Sequence, residues 1–225
     1  MRAVVLSGGI ALVVSLLATP LFIRYLRSRQ FGQFIRQDGP ASHHVKRGTP
    51  TMGGVVIIAA AVLGWLGANL AVGRAPNASS MLVVFLMVGL GLVGLLDDGI
   101  KISQERSLGL KARWKFLGQG LVGVTFGVLA LQFENSDGVT PASTAISFLR
   151  DTALDLAIWG PTVGLILFVV WSNFLITAWS NAVNLTDGLD GLASGTAVIF
   201  FAAYVLIAIW QLNQSCFVPD PVARC

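Results

Sequence analysis

Six stretches of the chain run without a single Asp, Glu, Lys or Arg: 3–23, 48–73, 75–96, 116–133, 156–186 and 191–219. Each is long enough for the roughly 17–25 apolar residues that carry a helix across a bilayer. Backbone inside lipid must satisfy its own hydrogen bonds, so runs like these permit helices and little else. Composition agrees. Charged residues are 12% of the 225, against about 25% in soluble domains, and mean hydropathy is +0.76. High hydrophobicity with low charge excludes intrinsic disorder, and two cysteines exclude a disulfide scaffold. A net charge of only +4, with the basic residues beside apolar runs, argues against a nucleic-acid reader. The expected fold is all-α: a polytopic membrane helix bundle forming one domain over 1–225. Its six predicted spans lie near 3–23, 53–72, 78–96, 116–133, 156–180 and 192–210. The first stretch lacks a strongly basic start and is followed by Arg24, Arg27 and Arg29, so it reads as a retained anchor rather than a signal peptide.

Basic residues set the orientation. Segments 24–47 and 97–115 hold 11 of the 15 Lys and Arg residues. The positive-inside rule makes their side cytoplasmic, together with 181–191, and places both termini outside. Trp159 and Trp210 then lie near outer ends and Trp114 near an inner one, as interface anchors do. Segment 134–155 is a polar outer loop with room for a short hairpin.

Several patterns mimic function. Gly89-Leu90-Gly91-Leu92-Val93-Gly94 has the spacing of a dinucleotide-binding loop, but it lies inside an apolar span and lacks the preceding strand. Close helix packing by small residues accounts for it, and for Gly123 and Gly127. The three Asn-X-Ser/Thr triplets, at 77–79, 184–186 and 213–215, are common by chance. His43-His44 has no nearby acid to complete a metal site. Cys216 and Cys225 share the predicted oxidising side and are placed to form a bridge, without making a framework.

Three polar clusters fall at the predicted cytoplasmic ends of spans. The first runs from Gly39 to Gly54 and includes Lys46, Arg47, Thr49, Pro50, Thr51, Met52 and Gly53. Exposed backbone, cations and hydroxyls together suit phosphate oxygens. Flanking positive-inside charge explains Lys46 and Arg47, but not two threonines and a proline set against a Gly-Gly pair. The second is Asp97-Asp98-Gly99-Ile100-Lys101. Its acids suit Mg²⁺ or, because adjacent like charges raise a pKa, a general base. The alternative is a helix C-cap with a salt bridge to Lys101. The third is Asn181 to Gly191. Asn184, Asp187 and Asp190 would share one wall if helical, suited to sugar hydroxyls and base edges, while Gly188 and Gly191 permit close backbone approach. A plain loop turn is the weaker alternative for such regular polar spacing. Acids, bases and hydroxyls on one membrane face point to phosphoryl transfer between a lipid and a cytosolic substrate.

These strings resemble known signatures. Ser42 through Gly54 is similar to the first signature of bacterial phospho-N-acetylmuramoyl-pentapeptide transferases (translocase I). Asp97-Asp98 with Gly109-Leu110-Lys111-Ala112-Arg113-Trp114-Lys115 resembles the second, and Asn181 through Gly191 the third. The wider polyprenyl-phosphate N-acetylhexosamine-1-phosphate transferase superfamily shares the acidic clusters but not usually the Gly-Thr-Pro-Thr-Met-Gly-Gly string. The resemblance implies that UDP-N-acetylmuramoyl-pentapeptide and undecaprenyl phosphate give lipid I and UMP with Mg²⁺. This is the first membrane step of peptidoglycan synthesis, at the bacterial inner membrane. It implies Asp97 and Asp98 as the catalytic acids, one acting as base and the other orienting it or assisting the metal. It also implies substrate binding by His43, Lys46, Thr51, Asn184, Asp187, Gly188, Leu189 and Asp190, with the last three near uracil. The partners implied are the two substrates and a homodimer, with no nucleic acid.

Family members have about ten spans against the six expected here, and a later loop supplies their main magnesium aspartate. No metal ligand is therefore assigned, and the expectation is an N-terminal portion of the family fold without measurable transferase activity alone. Competing readings are a transferase for another UDP-N-acetylhexosamine, a transporter or channel, and a non-functional fragment. Acids confined to span ends on one side argue against a transporter, which needs polar residues at mid-depth.

Overall fold

The computed structural model describes residues 2–32, 49–105, 108–135, 138–147, 151–187 and 191–213. In chain order the elements are α1 (Arg2–Ser28), α2 (Gly54–Val72), α3 (Ala78–Ser103), α4 (Ala112–Ala130), β1 (Ala145–Ser147), β2 (Asp151–Asp155), α5 (Pro161–Thr186) and α6 (Leu192–Asn213). Contacts divide the chain into two compact units. One covers Met1–Ser143 with Phe168–Asn173, the other Thr144–Leu167 with Phe174–Cys225.

In the first unit, helices meet through small residues. Val56, Ala60, Gly64 and Ala68 recur every four residues and form the buried face of α2. A Cβ at Gly64 would lie 2.5 Å from the Ser7 carbonyl oxygen and 2.9 Å from Ala11 Cβ, so α1 and α2 approach to backbone contact, as small-residue stripes allow. The glycines of 89–94 serve the same purpose. Gly89 faces Val122 of α4 and Gly91 faces Ile58 of α2, and the segment is helical throughout, with no strand before it. Gly123 and Gly127 likewise make room for Asn173 and Ser172 of α5. Asn173 donates from its side-chain amide to the Gly120 carbonyl at 3.4 Å, and the neighbouring Gln119 is buried.

The turn from α2 to α3 is built from local chemistry. Gly73 adopts φ 68°, a left-handed position that favours glycine. The Gly73 and Arg74 amides return to the Leu70 and Asn69 carbonyls, closing the helix. Asn77 then caps α3 by accepting from the Ser80 N–H at 2.9 Å, as a short polar N-cap does.

In the second unit, β1 and β2 pair antiparallel with an irregular register, Ala145 opposite Asp155 and Ser147 opposite Asp151. This is the short hairpin that the polar loop had room for. Gly160 at φ 103° and Pro161 in the first turn start α5. Trp179 and Tyr204 stand on either side of Phe200, with centroids 6.2 and 4.6 Å away.

Against the six spans expected, five helices among the described residues, α1, α2, α3, α5 and α6, are long and apolar enough to cross a membrane. α4 is not among them, because Arg113, Lys115 and Gln119 dilute its apolar run. Most apolar side chains face outward: Val5 is 73% exposed and Leu70 81%. Surfaces of this kind belong against lipid rather than water.

Candidate active site

One end of the first unit gathers two of the three polar clusters. Gly32, just beyond α1, bridges Pro50, just before α2. Met52 takes φ 69°, which is uncommon for a non-glycine residue. A Cβ at Gly99 would sit 3.8 Å from Met52 Cε, so the Thr-Pro-Thr-Met segment lies beside the acidic turn of α3. Gly53 opens α2 without a side-chain cap, which leaves the positive end of that helix for an anion. Thr51 Oγ1 is buried and has no hydrogen-bond partner among the described residues. Buried hydroxyls are almost always paired, and an orphan costs free energy until something bonds it.

Asp97 and Asp98 lie well inside α3, which runs on to Ser103 and is capped by Gln104. The C-cap alternative is therefore overturned: negative charge near a helix C-terminus opposes the macrodipole. The salt bridge in that alternative is present. Lys101 Nζ reaches Asp97 Oδ2 at 2.7 Å and Asp98 Oδ1 at 2.9 Å. One ammonium thus serves both carboxylates, and the like-charge repulsion expected of adjacent acids is offset.

The two acids differ in what remains. Asp97 is the more enclosed, its side chain 13% exposed against 31% for Asp98. Its second oxygen, Oδ1, accepts the Leu110 N–H at 2.8 Å. A Cβ at Gly109 would stand 2.6 Å from the Asp97 carbonyl oxygen, so the chain entering α4 is pressed against α3 at this residue. Lys115 of α4 is near enough to act on Asp97 electrostatically. Asp98 keeps one carboxylate oxygen without a protein partner among the described residues. The geometry makes Asp97 a clamp and leaves Asp98 available.

The third cluster belongs to the second unit. Asn184 is exposed in the last turn of α5, and exposed Asp187 is the C-cap, with φ −72° and ψ 7°. The helix ends at Thr186, so the helical condition on a wall from Asn184 to Asp190 fails at Asp187. Asn181 and Thr186 turn back to the Thr177 and Ala182 carbonyls. Gly188, Leu189 and Asp190 lie outside the described residues, as do His43, Lys46, Arg47, Cys216 and Cys225.

No group of three His, Cys, Asp or Glu side chains able to hold a metal occurs among the described residues. Mg²⁺ is held by one or two carboxylates and completes its octahedron with waters and phosphate oxygens; with both Asp97 oxygens engaged, the acidic turn could offer it the one free Asp98 oxygen.

Two of the three partners of the acids could not be read from residue type. Lys101 was visible by its spacing from Asp97. Gly109 and the Leu110 amide were not, since a backbone donor thirteen positions away leaves no mark in residue type.

A family model for glycosyl transferase family 4 matches residues 80–219. A second, for signature 1 of the phospho-N-acetylmuramoyl-pentapeptide-transferases, matches residues 46–58. The chain is 66% identical over 222 residues to the phospho-N-acetylmuramoyl-pentapeptide-transferase of Beutenbergia cavernae, covering 99% of itself and 62% of that protein. The chain belongs to glycosyl transferase family 4, in its phospho-N-acetylmuramoyl-pentapeptide-transferase branch. Transferases of the same name from Kineococcus radiotolerans and Streptomyces avermitilis are 59% and 50% identical, with 100% and 96% of this chain covered. The chain spans 63% and 58% of their lengths, so it corresponds to somewhat under two thirds of these curated relatives. Family membership and five apolar helices together make it a multi-pass membrane protein. The transferase signature covers the Thr51–Met52 segment, and the family 4 match covers the Asp97 clamp and α5.

Proposed function

We propose that the chain carries part of the active site of a phospho-N-acetylmuramoyl-pentapeptide transferase. In this reaction an oxygen of undecaprenyl phosphate attacks the sugar-bearing phosphorus of UDP-N-acetylmuramoyl-pentapeptide. The bond from that phosphorus to the bridging oxygen breaks, UMP leaves, and lipid I forms. The observation that carries the reading is the buried Thr51 hydroxyl, unpartnered among the described residues, set at the open end of α2 and beside the acidic turn. A diphosphate oxygen is the acceptor that would satisfy it, with Lys46 as a cation on the same segment.

Asp98, with its free oxygen, is the acid that faces the attacking phosphate, taking its proton or orienting it. Asp97 is the positioning residue, holding Lys101 and the Leu110 amide in place. Asn184, Asp187 and Asp190, with the Gly188-Leu189 backbone, receive the nucleoside end, and His43 is a further substrate contact. The Mg²⁺ of this reaction class would neutralise diphosphate charge, and the acidic turn could hold it through the free Asp98 oxygen. The site end faces the cytoplasm, where the positive-inside rule puts 11 of 15 basic residues. A homodimer at the bacterial inner membrane belongs to the same reading.

Thr51→Val keeps the shape and removes the hydroxyl. Titrating the purified chain in detergent should show binding of UDP-N-acetylmuramoyl-pentapeptide weakened about tenfold or more, the scale of a lost hydrogen bond to a charged group. Unchanged affinity would overturn the assignment. Preference for UDP-N-acetylglucosamine over the muramoyl-pentapeptide nucleotide would favour another superfamily transferase.

A further inference from the structure

At the end of α3 opposite the acids, the ends of α1, α2 and α3 and the turn between α2 and α3 line an open cleft of about 360 Å³, with Arg74 and Asn77 exposed at its rim. The distance from Asn77 to Asp97 along α3 is about 30 Å at the helical rise, one hydrocarbon thickness. The cavity thus lies in the other headgroup layer and has no part in the transfer site.

Its polar lining comes from Ser7, Trp65, Asn69, Arg74, Asn77 and Ser80. No acidic residue is among the described residues that line it. The Arg74 guanidinium has no ion pair or side-chain hydrogen bond among the described residues; its backbone N–H alone is engaged, by the Asn69 carbonyl. Asn77 spends its carbonyl oxygen on the Ser80 amide, so what it offers the cavity is its NH₂ group. Asn69 spends an amide hydrogen on the Trp65 carbonyl and Ser80 its hydroxyl hydrogen on the Asn77 carbonyl, so the donors that face a phosphate here are chiefly the Arg74 guanidinium and the Asn77 NH₂ group. Ala3, Val4 and Ala68 supply apolar wall, and the neighbouring Leu70 is 81% exposed, a surface for an acyl chain. Trp65 adds an amphipathic ring of the kind enriched at headgroup depth.

We propose that this cavity binds the phosphate of an anionic phospholipid, with Arg74 as its counter-ion. Basic pockets between membrane helices hold lipid headgroups by this chemistry. The positive-inside rule does not account for Arg74, which lies on the side with few basic residues.

The test is native mass spectrometry of the full 225-residue chain in detergent with phosphatidylglycerol. One retained lipid is expected, with occupancy falling about fivefold in Arg74→Gln and unchanged in Arg2→Gln. Ala75→Phe fills the mouth and keeps the charge; it should lower occupancy too, with helicity checked by circular dichroism. Equal retention by wild type and both cavity variants would overturn the site. Equal retention of phosphatidylcholine would remove its preference for anionic lipid. Displacement of the lipid by millimolar inorganic phosphate would mark a free-phosphate site instead. None of these readouts depends on transferase activity.

Discussion

Replacing Gly109 by alanine adds one methyl group at the tightest point of the acidic turn. That Cβ would lie 2.6 Å from the Asp97 carbonyl oxygen and 2.7 Å from its carboxyl carbon. The first neighbour is backbone of a helix interior and cannot rotate away. Ordinary C···O contact begins near 3.3 Å, so the chain at 109 must retreat by about 0.7 Å. The Leu110 N–H moves with it. Its bond to Asp97 Oδ1, now 2.8 Å, stretches toward roughly 3.5 Å, beyond the useful range for N–H···O. A hydrogen bond to a charged group contributes about 1.5–3 kcal/mol, and Asp97 is enclosed enough for the lower half of that range to apply.

The assay is UMP release alongside thermal unfolding in detergent, using a preparation with measurable turnover. Gly109→Ala should lower kcat about tenfold or more while leaving KM for the nucleotide within about twofold, because the alanine disturbs the acidic turn and not Thr51. Asp97→Asn combined with Gly109→Ala should cost little more than the worse single variant, since both act on one contact. Wild-type kcat in Gly109→Ala, or full additivity in the double variant, would refute the clamp.

Three further outcomes follow from the geometry. Lys101→Met removes the counter-ion shared by Asp97 and Asp98; with the lysine side chain a third exposed, the stability loss should be about 1 kcal/mol or less, while UMP release falls far more steeply and Lys101→Arg recovers part of it. Gly64→Val drives a side chain into the Ser7 carbonyl and Ala11, and should destabilise the α1–α2 pair by about 1–3 kcal/mol, read as a lower detergent melting temperature. In the hairpin unit, the Ala157 N–H and then the Thr144 hydroxyl hold the Asp155 carboxyl below its ordinary value of 3.8. A lowered folded value means that its contribution is complete above the unfolded value and disappears as pH falls through the folded one. Protection of the Ala157 amide against hydrogen exchange should therefore persist at pH 5 and vanish only below pH 4, and early loss near pH 5 would contradict it.

Local rules made much of the molecule legible. Charge-free runs of bilayer length require helices, because lipid supplies no hydrogen-bond partners. The glycines at 89–94 were readable as packing surface because they sat inside an apolar run. The Asp97–Lys101 pair was readable from its spacing on one helix face. α4 was less clear: its first turn is basic, and its apolar length falls short of its neighbours'.

Sequence by itself therefore determined that this chain is a set of apolar helices with acids, hydroxyls and cations at their ends. Only the tertiary structure decided how the two acids divide their work. The deciding partner is a backbone amide at Leu110, brought to Asp97 by the close approach of Gly109. Every residue but proline carries such an amide, so residue identity cannot say which one is used. The same holds for Thr51, whose hydroxyl is unremarkable in the sequence and becomes informative only once packing has buried it without a partner among the described residues. Periodicity and capping act over a few residues and can be read along the chain. Burial and long-range hydrogen bonding depend on which surfaces meet, and that is settled only when the helices pack.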